Sequence, residues 1–441
     1  MAITMQKTPL KIAIVGSGIS GLAAAHALHG SADITLFEAG SYFGGHTHTV
    51  DITLPTAKGA VTHGVDTGFL VFNERTYPHL IQLFADLGVE TAKSDMSFSV
   101  QVPQKNGALE WSGSNLSTVF AQRSNLLNPR FWRMLRDLMR FNQLATSIAK
   151  SDIDAQLMQP LEEFLQVNKF SNEFRDWYLL PMLGCIWSCP TSQMLKFPVA
   201  TMVRFCHNHG LLQVNDRPQW WTVAGGAKHY VAKIVANIAD KRLNTPVHCI
   251  TRDRRGVHIV TSAGTERFDK IIIATHSDQA LAMLQLPSHV EIRALSAITY
   301  QANVAVLHTD ASVLPQRKAA WAAWNYERVQ LDPSQPDHAS VCLHYLINKL
   351  QPIPFEQPVV VSLNPTKPIA AEHVLGTFDY AHPVFDTAAI KAQASIPALQ
   401  GQQNTYFCGA WTGYGFHEDG LKSGLAAAKQ LLEDAQWQAA A

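Results

Sequence analysis

The segment Gly16-Ser17-Gly18-Ile19-Ser20-Gly21 constrains this chain more than any other. It follows a short apolar run, KIAIVG, and opens ISGLAAAHALHG, a helical pattern closed by Gly30, before ITLFEAG resumes as a strand. The resulting β-α-β unit carries three glycines at GxGxxG spacing. That spacing lets the backbone turn tightly, approach a pyrophosphate closely and pack the next helix against the strand. The helix N-terminus then faces the phosphates with its free N–H groups. Glu38 ends the second strand 17 residues beyond Gly21 and is followed by Ala39. An acid at that place accepts from ribose hydroxyls, and its charge opposes the extra phosphate of NADP. A glycine-rich turn in an unliganded α/β protein is the alternative reading.

At 441 residues the chain exceeds what one core normally supports, so two connected domains are expected. The fold class is α/β: a discontinuous Rossmann-type nucleotide domain over residues 1–72, 214–288 and 396–441, with a substrate domain of α+β character over 73–213 and 289–395. Helical patterns dominate the first inserted stretch, as in RTYPHLIQLFADLG, PRFWRMLRDLMRFNQLATSIAK and SNEFRDWYLLPMLGCIW, with a hairpin at SFSVQV and ALEWSG. The α/β character returns at VAGGAKHYVAKIVANIA, and the chain closes on NTYFCGAW, a last helix and an Ala-rich end expected to fray.

Lys+Arg and Asp+Glu balance at 35 each, so no global field marks nucleic acid as a partner. The first ten residues lack the apolar core of a signal peptide, and no stretch has the length and apolarity of a membrane span. Six scattered cysteines suit a reducing compartment, and a cytoplasmic protein is expected. Cys185 and Cys189 read as buried thiols, and no metal site is expected.

After Glu38 come Gly44-Gly45-His46-Thr47-His48-Thr49 and then Val65-Asp66-Thr67-Gly68. With the glycine-opened helix after Thr222–Gly226, Pro246-Val247, the strand ending at Thr275 and the closing YFCGAWTGYGFHEDGLKSG, these blocks resemble the flavin-containing amine oxidase superfamily. That superfamily also holds phytoene-desaturase-like and protoporphyrinogen-oxidase-like enzymes. The resemblance covers most of the chain and implies FAD held non-covalently in a glutathione-reductase-like FAD-binding domain. It places Gly44, Gly45, His46 and Thr47 over the phosphates, and Asp66, Thr67 and Gly68 near the flavin. It puts Val247, Thr275, Gly409 and Ala410 along the cofactor, and Glu418, Asp419, Gly420 and Leu421 at a closing helix whose N-terminus faces the ring. The chain most resembles a bacterial branch of predicted FAD oxidoreductases, similar to the N-terminal half of plant cyclopropane fatty acid synthases and associated with modification of membrane fatty acyl chains.

Departures from the family pattern narrow the chemistry. His46 replaces the arginine after the double glycine, Phe69 stands where a second glycine would follow Gly68, and Ala410 and Trp411 occupy the places of the usual acid. Gln301 and Asn303 fall where amine oxidases place a lysine near flavin N5, and His417 falls in the position of an aromatic cage residue. Amine oxidation is thereby weakened. His417 and His46 are the candidate proton-transfer or polarising groups, since imidazole titrates near neutrality, with a structural role as the alternative. His207 and His209 read as surface or helix-end residues.

Phe131, Trp132, Leu179, Leu180, Met182, Leu183 and Trp187 could line a tunnel for an acyl chain or simply form core. Arg123, Arg130, Arg133, Arg136 and Arg140 could touch anionic headgroups or form a solvated helix face. The expected function is an FAD-dependent oxidoreductase removing hydride from a lipid-like substrate, an acyl chain to be desaturated or otherwise modified. Alternatives are an amine oxidase using dioxygen, a redox-neutral flavin-dependent isomerase, and a flavin-binding partner of a lipid methyltransferase. The expected location is cytoplasmic, peripheral to the inner membrane face.

Overall fold

The computed structural model describes residues 9–104, 107–150, 159–213, 217–328 and 341–440. The N-terminal residues 1–8, read above for a leader and counted in the nucleotide domain, lie outside them, as do residues 214–216 at its second boundary and Ala441 of the Ala-rich end.

The apolar run after Leu10 becomes the strand Leu10–Val15 because it is buried on both faces, as the strands of a parallel sheet require. It lies at the centre of a five-stranded sheet in the order Asp240–Arg242, Ala32–Phe37, Leu10–Val15, Lys270–Ile273, Thr405–Phe407, every pair parallel. The sheet therefore gathers strands from three distant parts of the chain. Helix Ile19–Leu28 follows the first strand and is buried almost throughout, which its alanines allow by packing close.

A second, mixed sheet of seven strands runs in the order Val374–Val384, Thr299–His308, Val360–Leu363, Cys342–Leu346, Trp324–Glu327, Phe98–Gln104, Gly107–Ser112. Its last two strands are the expected hairpin, paired from Ser99 with Ser112 to Gln104 with Gly107. Thr299–His308 and Val374–Val384 pair antiparallel along their whole length, bringing Asn303 opposite Tyr380 and Gln301 opposite His382.

Helices pack beside this sheet. Pro129–Ala149 has Pro129 in its first turn and Asn128 capping the Arg130 N–H, and it buries Phe131, Met134, Phe141 and Ala145 on one face. The stretch expected as one helix over 171–187 is divided: Asn172–Phe174, a π turn at Arg175–Leu179, then Leu180–Trp187. Pro181 explains the break, because it withholds an N–H from the preceding turn and its ring crowds that turn's carbonyls.

Among the described residues no helix is long and apolar enough to cross a membrane. All six cysteines are free.

Candidate functional site

The phosphate loop is shaped by what its glycines touch. Gly16 has φ +99° and packs on the Ala274 carbonyl; a side chain on Gly21 would overlap the carbonyl of Gly16. Gly18 is different: it caps helix Ile19–Leu28 at φ −62°, and a Cβ there would meet nothing within 4 Å. The open space lies over the helix N-terminus, where an anion is held best. Glu38 braces the loop from behind, since one carboxylate oxygen accepts from Ser17 N at 3.0 Å and Ser17 Oγ at 2.5 Å and the other from Gly40 N at 2.8 Å. The double glycine closes over this turn, with Gly44 bridged to Gly18 and Gly44 N donating to Ser17 Oγ at 3.2 Å.

These groups line a cavity of about 700 Å³. Of the positions singled out in the sequence, Gly16, Ser17, Gly18, Ile19, Ser20, Glu38 and Ala39 line one end of it, with Val247 beside Thr245. Gly44, Gly45, His46, Gly68, Thr275, Gly409, Ala410 and His417 line its middle. Gly21, Thr47, Asp66, Thr67, Glu418, Asp419, Gly420 and Leu421 do not reach its wall, and their partners show what they do instead.

Asp66 is fully buried and accepts from Ala227 N at 2.9 Å, Gln351 Nε2 at 2.7 Å and the Thr49 hydroxyl. Desolvation nevertheless raises its pKa to about 7. Thr67 bonds to the Tyr380 hydroxyl at 2.7 Å. Both residues thus pin the backbone that carries Gly68 and Phe69 to the cavity. Glu418 accepts from His79 N, His79 Nδ1 and Leu80 N at 3.0, 2.6 and 3.0 Å, so it caps a neighbouring helix. Asp419 accepts from Tyr414 N and Phe416 N at 3.0 and 3.1 Å and is raised to about 6 by burial. Gly420 packs against Ile19, and Leu421 is core.

The closing helix, His417–Ala440, opens at the cavity wall. His417 stacks on Phe69 with ring centroids 3.9 Å apart, and its Nε2 lies 2.7 Å from the Tyr230 hydroxyl, which in turn sits 2.6 Å from Thr47 Oγ1. Burial drives the His417 pKa down to about 3. His46 is also fully buried, and burial with the neighbouring histidines holds it well below its ordinary value. Burial therefore disfavours the charged form of both rings.

The spacing of the sequence gave no sign of His382 and His276, which complete a group of imidazoles around His46. Ring centroids lie 5.2 Å from His46 to His382 and 6.4 Å from His46 to His276. Asn303 Oδ1 accepts from Asn364 Nδ2 at 2.7 Å, which orients its amide so that Nδ2 donates to His382 Nδ1 at 2.8 Å. The His382 proton then belongs on Nε2, and burial lowers its pKa to about 4. Asn303, read above as falling where amine oxidases place a lysine, thus supports an imidazole. Only the pairing of two strands far apart in sequence reveals this.

The other end of the cavity is formed by Met96, Cys185, Ile186, Phe205, Leu211, Trp220, Trp324 and Tyr345. Of the residues proposed above for a tunnel, none lines it. Phe131, Leu179, Leu183 and Trp187 are core, and Trp132 is half-exposed on the surface. The helical stretch over 180–187 does reach the chamber, but through its neighbouring residues Cys185 and Ile186, because a helix turns only one face to any wall. His209, read as a surface or helix-end residue, is the C-cap of helix Val199–Asn208, and its half-buried ring lies against Phe205 and Phe416 on the cavity wall, at a pKa of about 4. Outside the cavity Glu327, Cys342 and His344 meet in a hydrogen-bonded trio, with His344 Nε2 3.2 Å from Glu327 Oε2.

The residues fit an FAD-sized dinucleotide: a Cβ on Gly18 would meet nothing within 4 Å, which leaves room for a phosphate group, and the buried Nε2 of His46 finds no partner among the described residues. A profile of the family described as flavin containing amine oxidoreductase matches residues 19–357.

The chain belongs to the flavin-containing amine oxidoreductase family.

As a member of this family it is an FAD-dependent oxidoreductase, and its fold recurs in solved structures of low sequence identity. A CLA-producing fatty acid isomerase from P. acnes is 18% identical over 96% of this chain and 98% of that one, with a TM-score of 0.65. Cyclohexylamine oxidase from Brevibacterium oxydans is 16% identical over 97% of this chain and all of that one, with a TM-score of 0.69. Putrescine oxidase bound to putrescine is 15% identical over 96% and 99% of the two chains, with a TM-score of 0.67. No curated protein sequence matches the chain.

Proposed function

We propose that the substrate of this flavoenzyme is an apolar, lipid-like molecule, an acyl chain modified by hydride removal. The observation that carries this reading is the composition of the cavity wall. Glu38 is the one carboxylate lining the cavity among the described residues, it sits at the phosphate-loop end, and no lysine or arginine lines it at all. An ammonium substrate entering the aromatic end would meet no counter-charge, and a buried unpaired ion is costly. An acyl chain meets Met96, Ile186, Phe205 and Leu211, which gain by its burial about 0.8 kcal/mol per methylene.

Bound FAD supplies a hydride acceptor at N5. The protein's own part is to hold the acyl chain against that face, exclude water with its aromatic wall and offer neutral imidazole N–H groups from His46, His382 and His417. That a fatty acid isomerase shares the fold supports an acyl substrate and keeps redox-neutral isomerisation as the second reading.

Anaerobic titration of the FAD-loaded protein separates the readings. Bleaching of the visible flavin band by unsaturated fatty acids or phospholipids, with no response to putrescine or cyclohexylamine, is the expected result. Bleaching by amines alone would overturn it. Rearranged acyl product formed only after prior reduction of the flavin would identify an isomerase, and a flavin that no substrate reduces would leave the chain as a partner of a lipid-modifying enzyme.

A further inference from the structure

The outer face of helix Pro129–Ala149 and the turn before it hold an unusual share of the protein's exposed apolar surface. Of eleven large hydrophobic residues exposed among the described residues, Leu116, Leu126, Leu127, Trp132 and Met139 fall within 24 positions of one another. Leu127 is 89% exposed and Leu116 78%. Trp132, Arg136 and Met139 follow one another at steps of four and three, which places them in one stripe along the helix. Trp132 Nε1 donates to the Leu126 carbonyl at 2.9 Å, so the indole and the leucine turn form one surface.

The same face is basic. Between residues 116 and 143 five arginines stand against one acid, Asp137, while the whole chain is balanced. Asp137 is buried and pairs at 3.2 Å with Arg140, an exposed residue whose guanidinium also lies over the Phe170 ring. Arg130 and Arg133 share Glu173 at 3.8 and 3.6 Å, and Arg136 reaches Asp137 only at 3.7 Å. These loose, exposed pairs hold their arginines weakly.

We propose that this face docks on an anionic lipid bilayer. Leucines and a tryptophan would enter the headgroup boundary while the arginines beside them meet lipid phosphates, an arrangement proper to interfacial helices. A nucleic acid would use the arginines and leave Leu116 and Leu127 in water. The inner face of the helix packs on Val199–Asn208, whose Phe205 lines the apolar end of the cavity, so the docking surface and the substrate chamber share adjacent elements. The proposal does not depend on the substrate reading, since docking needs no turnover.

The test is sedimentation of the FAD-loaded protein with vesicles of phosphatidylcholine alone or mixed with phosphatidylglycerol. Binding to the mixed vesicles, weaker at high salt, is expected. Neutralising Arg130, Arg133 and Arg136 together to glutamine should weaken it on the order of a hundredfold, about fivefold for each arginine. Leu127→Asp with Trp132→Ala should weaken it as well, with the flavin band and melting temperature unchanged. No binding to anionic vesicles would overturn the proposal, as would equal binding to both vesicle types that ignores the arginines. A dimer that Trp132→Ala dissolves, without vesicle binding, would make the face a protein interface and overturn it too. A detergent-dispersed fatty acid that bleaches the flavin of a protein failing on vesicles would leave the substrate reading standing alone.

Discussion

The Tyr230 hydroxyl lies 2.7 Å from His417 Nε2 and joins the first residue of the closing helix to Thr47, just beyond the double glycine. Three segments separated by almost the whole length of the chain are thereby fixed around one cavity wall. Tyr230→Phe should keep the fold and lose about 1 kcal/mol of stability, the usual worth of one hydrogen bond. The ring of His417 would then keep only its aromatic contacts with Phe69 and the ring at 230, and the flavin absorbance maxima should shift. Unchanged maxima would mean that His417 does not contact the ring system.

Gly18 and Gly21 should part company on substitution. Gly18→Val faces open space at an ordinary φ, so melting of the apo-protein should change by no more than about 0.5 kcal/mol while FAD content falls to near zero. Gly21→Val forces a side chain into the Gly16 carbonyl and should destabilise the apo-protein itself by about 1–3 kcal/mol or more. Full FAD retention in the Gly18 variant would refute the phosphate-loop assignment.

Asp66→Asn should behave as a structural lesion. An amide presents N–H groups where Ala227 N and Gln351 Nε2 now donate, leaving buried donors opposed at a cost of about 1–3 kcal/mol. Denaturant melts of the apo-protein would show this loss. A variant of native stability that merely binds FAD weakly would instead assign Asp66 to direct cofactor contact.

Acid should destabilise the apo-protein well above the carboxylate range. His209, His308 and His382 are held at about 4 and His417 at about 3, so between those values and their ordinary pKa the unfolded chain takes up protons that the folded one refuses. Stability from these groups is present above about pH 6.5 and is lost as pH falls. Asp66, raised to about 7, and Asp419, raised to about 6, act with the opposite sign, but the histidines outnumber them. The melting temperature should fall between about pH 7 and about pH 5. A rise over that interval would show that the imidazoles are accessible and charged.

Ile186→Glu should place a carboxylate in the apolar end of the cavity and abolish bleaching by fatty acids while the FAD content stays near that of the parent. An undiminished response would move the acyl chain elsewhere.

The sequence by itself determined the nucleotide half of this protein. The loop from Gly16 to Gly21, the acid at Glu38 and the glycines at 44 and 45 are local demands of backbone geometry on neighbouring residues, and such demands are written in spacing. It also determined the hairpin and the long helix from Pro129, through alternation and an amphipathic period. Tertiary structure alone decided the substrate end. His382, Asn303 and Asn364 sit on strands whose register, rather than their sequence, brings them together, and Trp324, Tyr345 and Phe205 meet at the cavity from three elements. The choice between Ile186 and Leu183 as chamber wall depended on which helix face turned inward, a result of packing that apolar composition cannot express. Asp66 and Glu418 carry the same lesson in charge: their spacing marks them as polar and needed, and only the fold shows which backbone donors they meet, Ala227 N and His79 N.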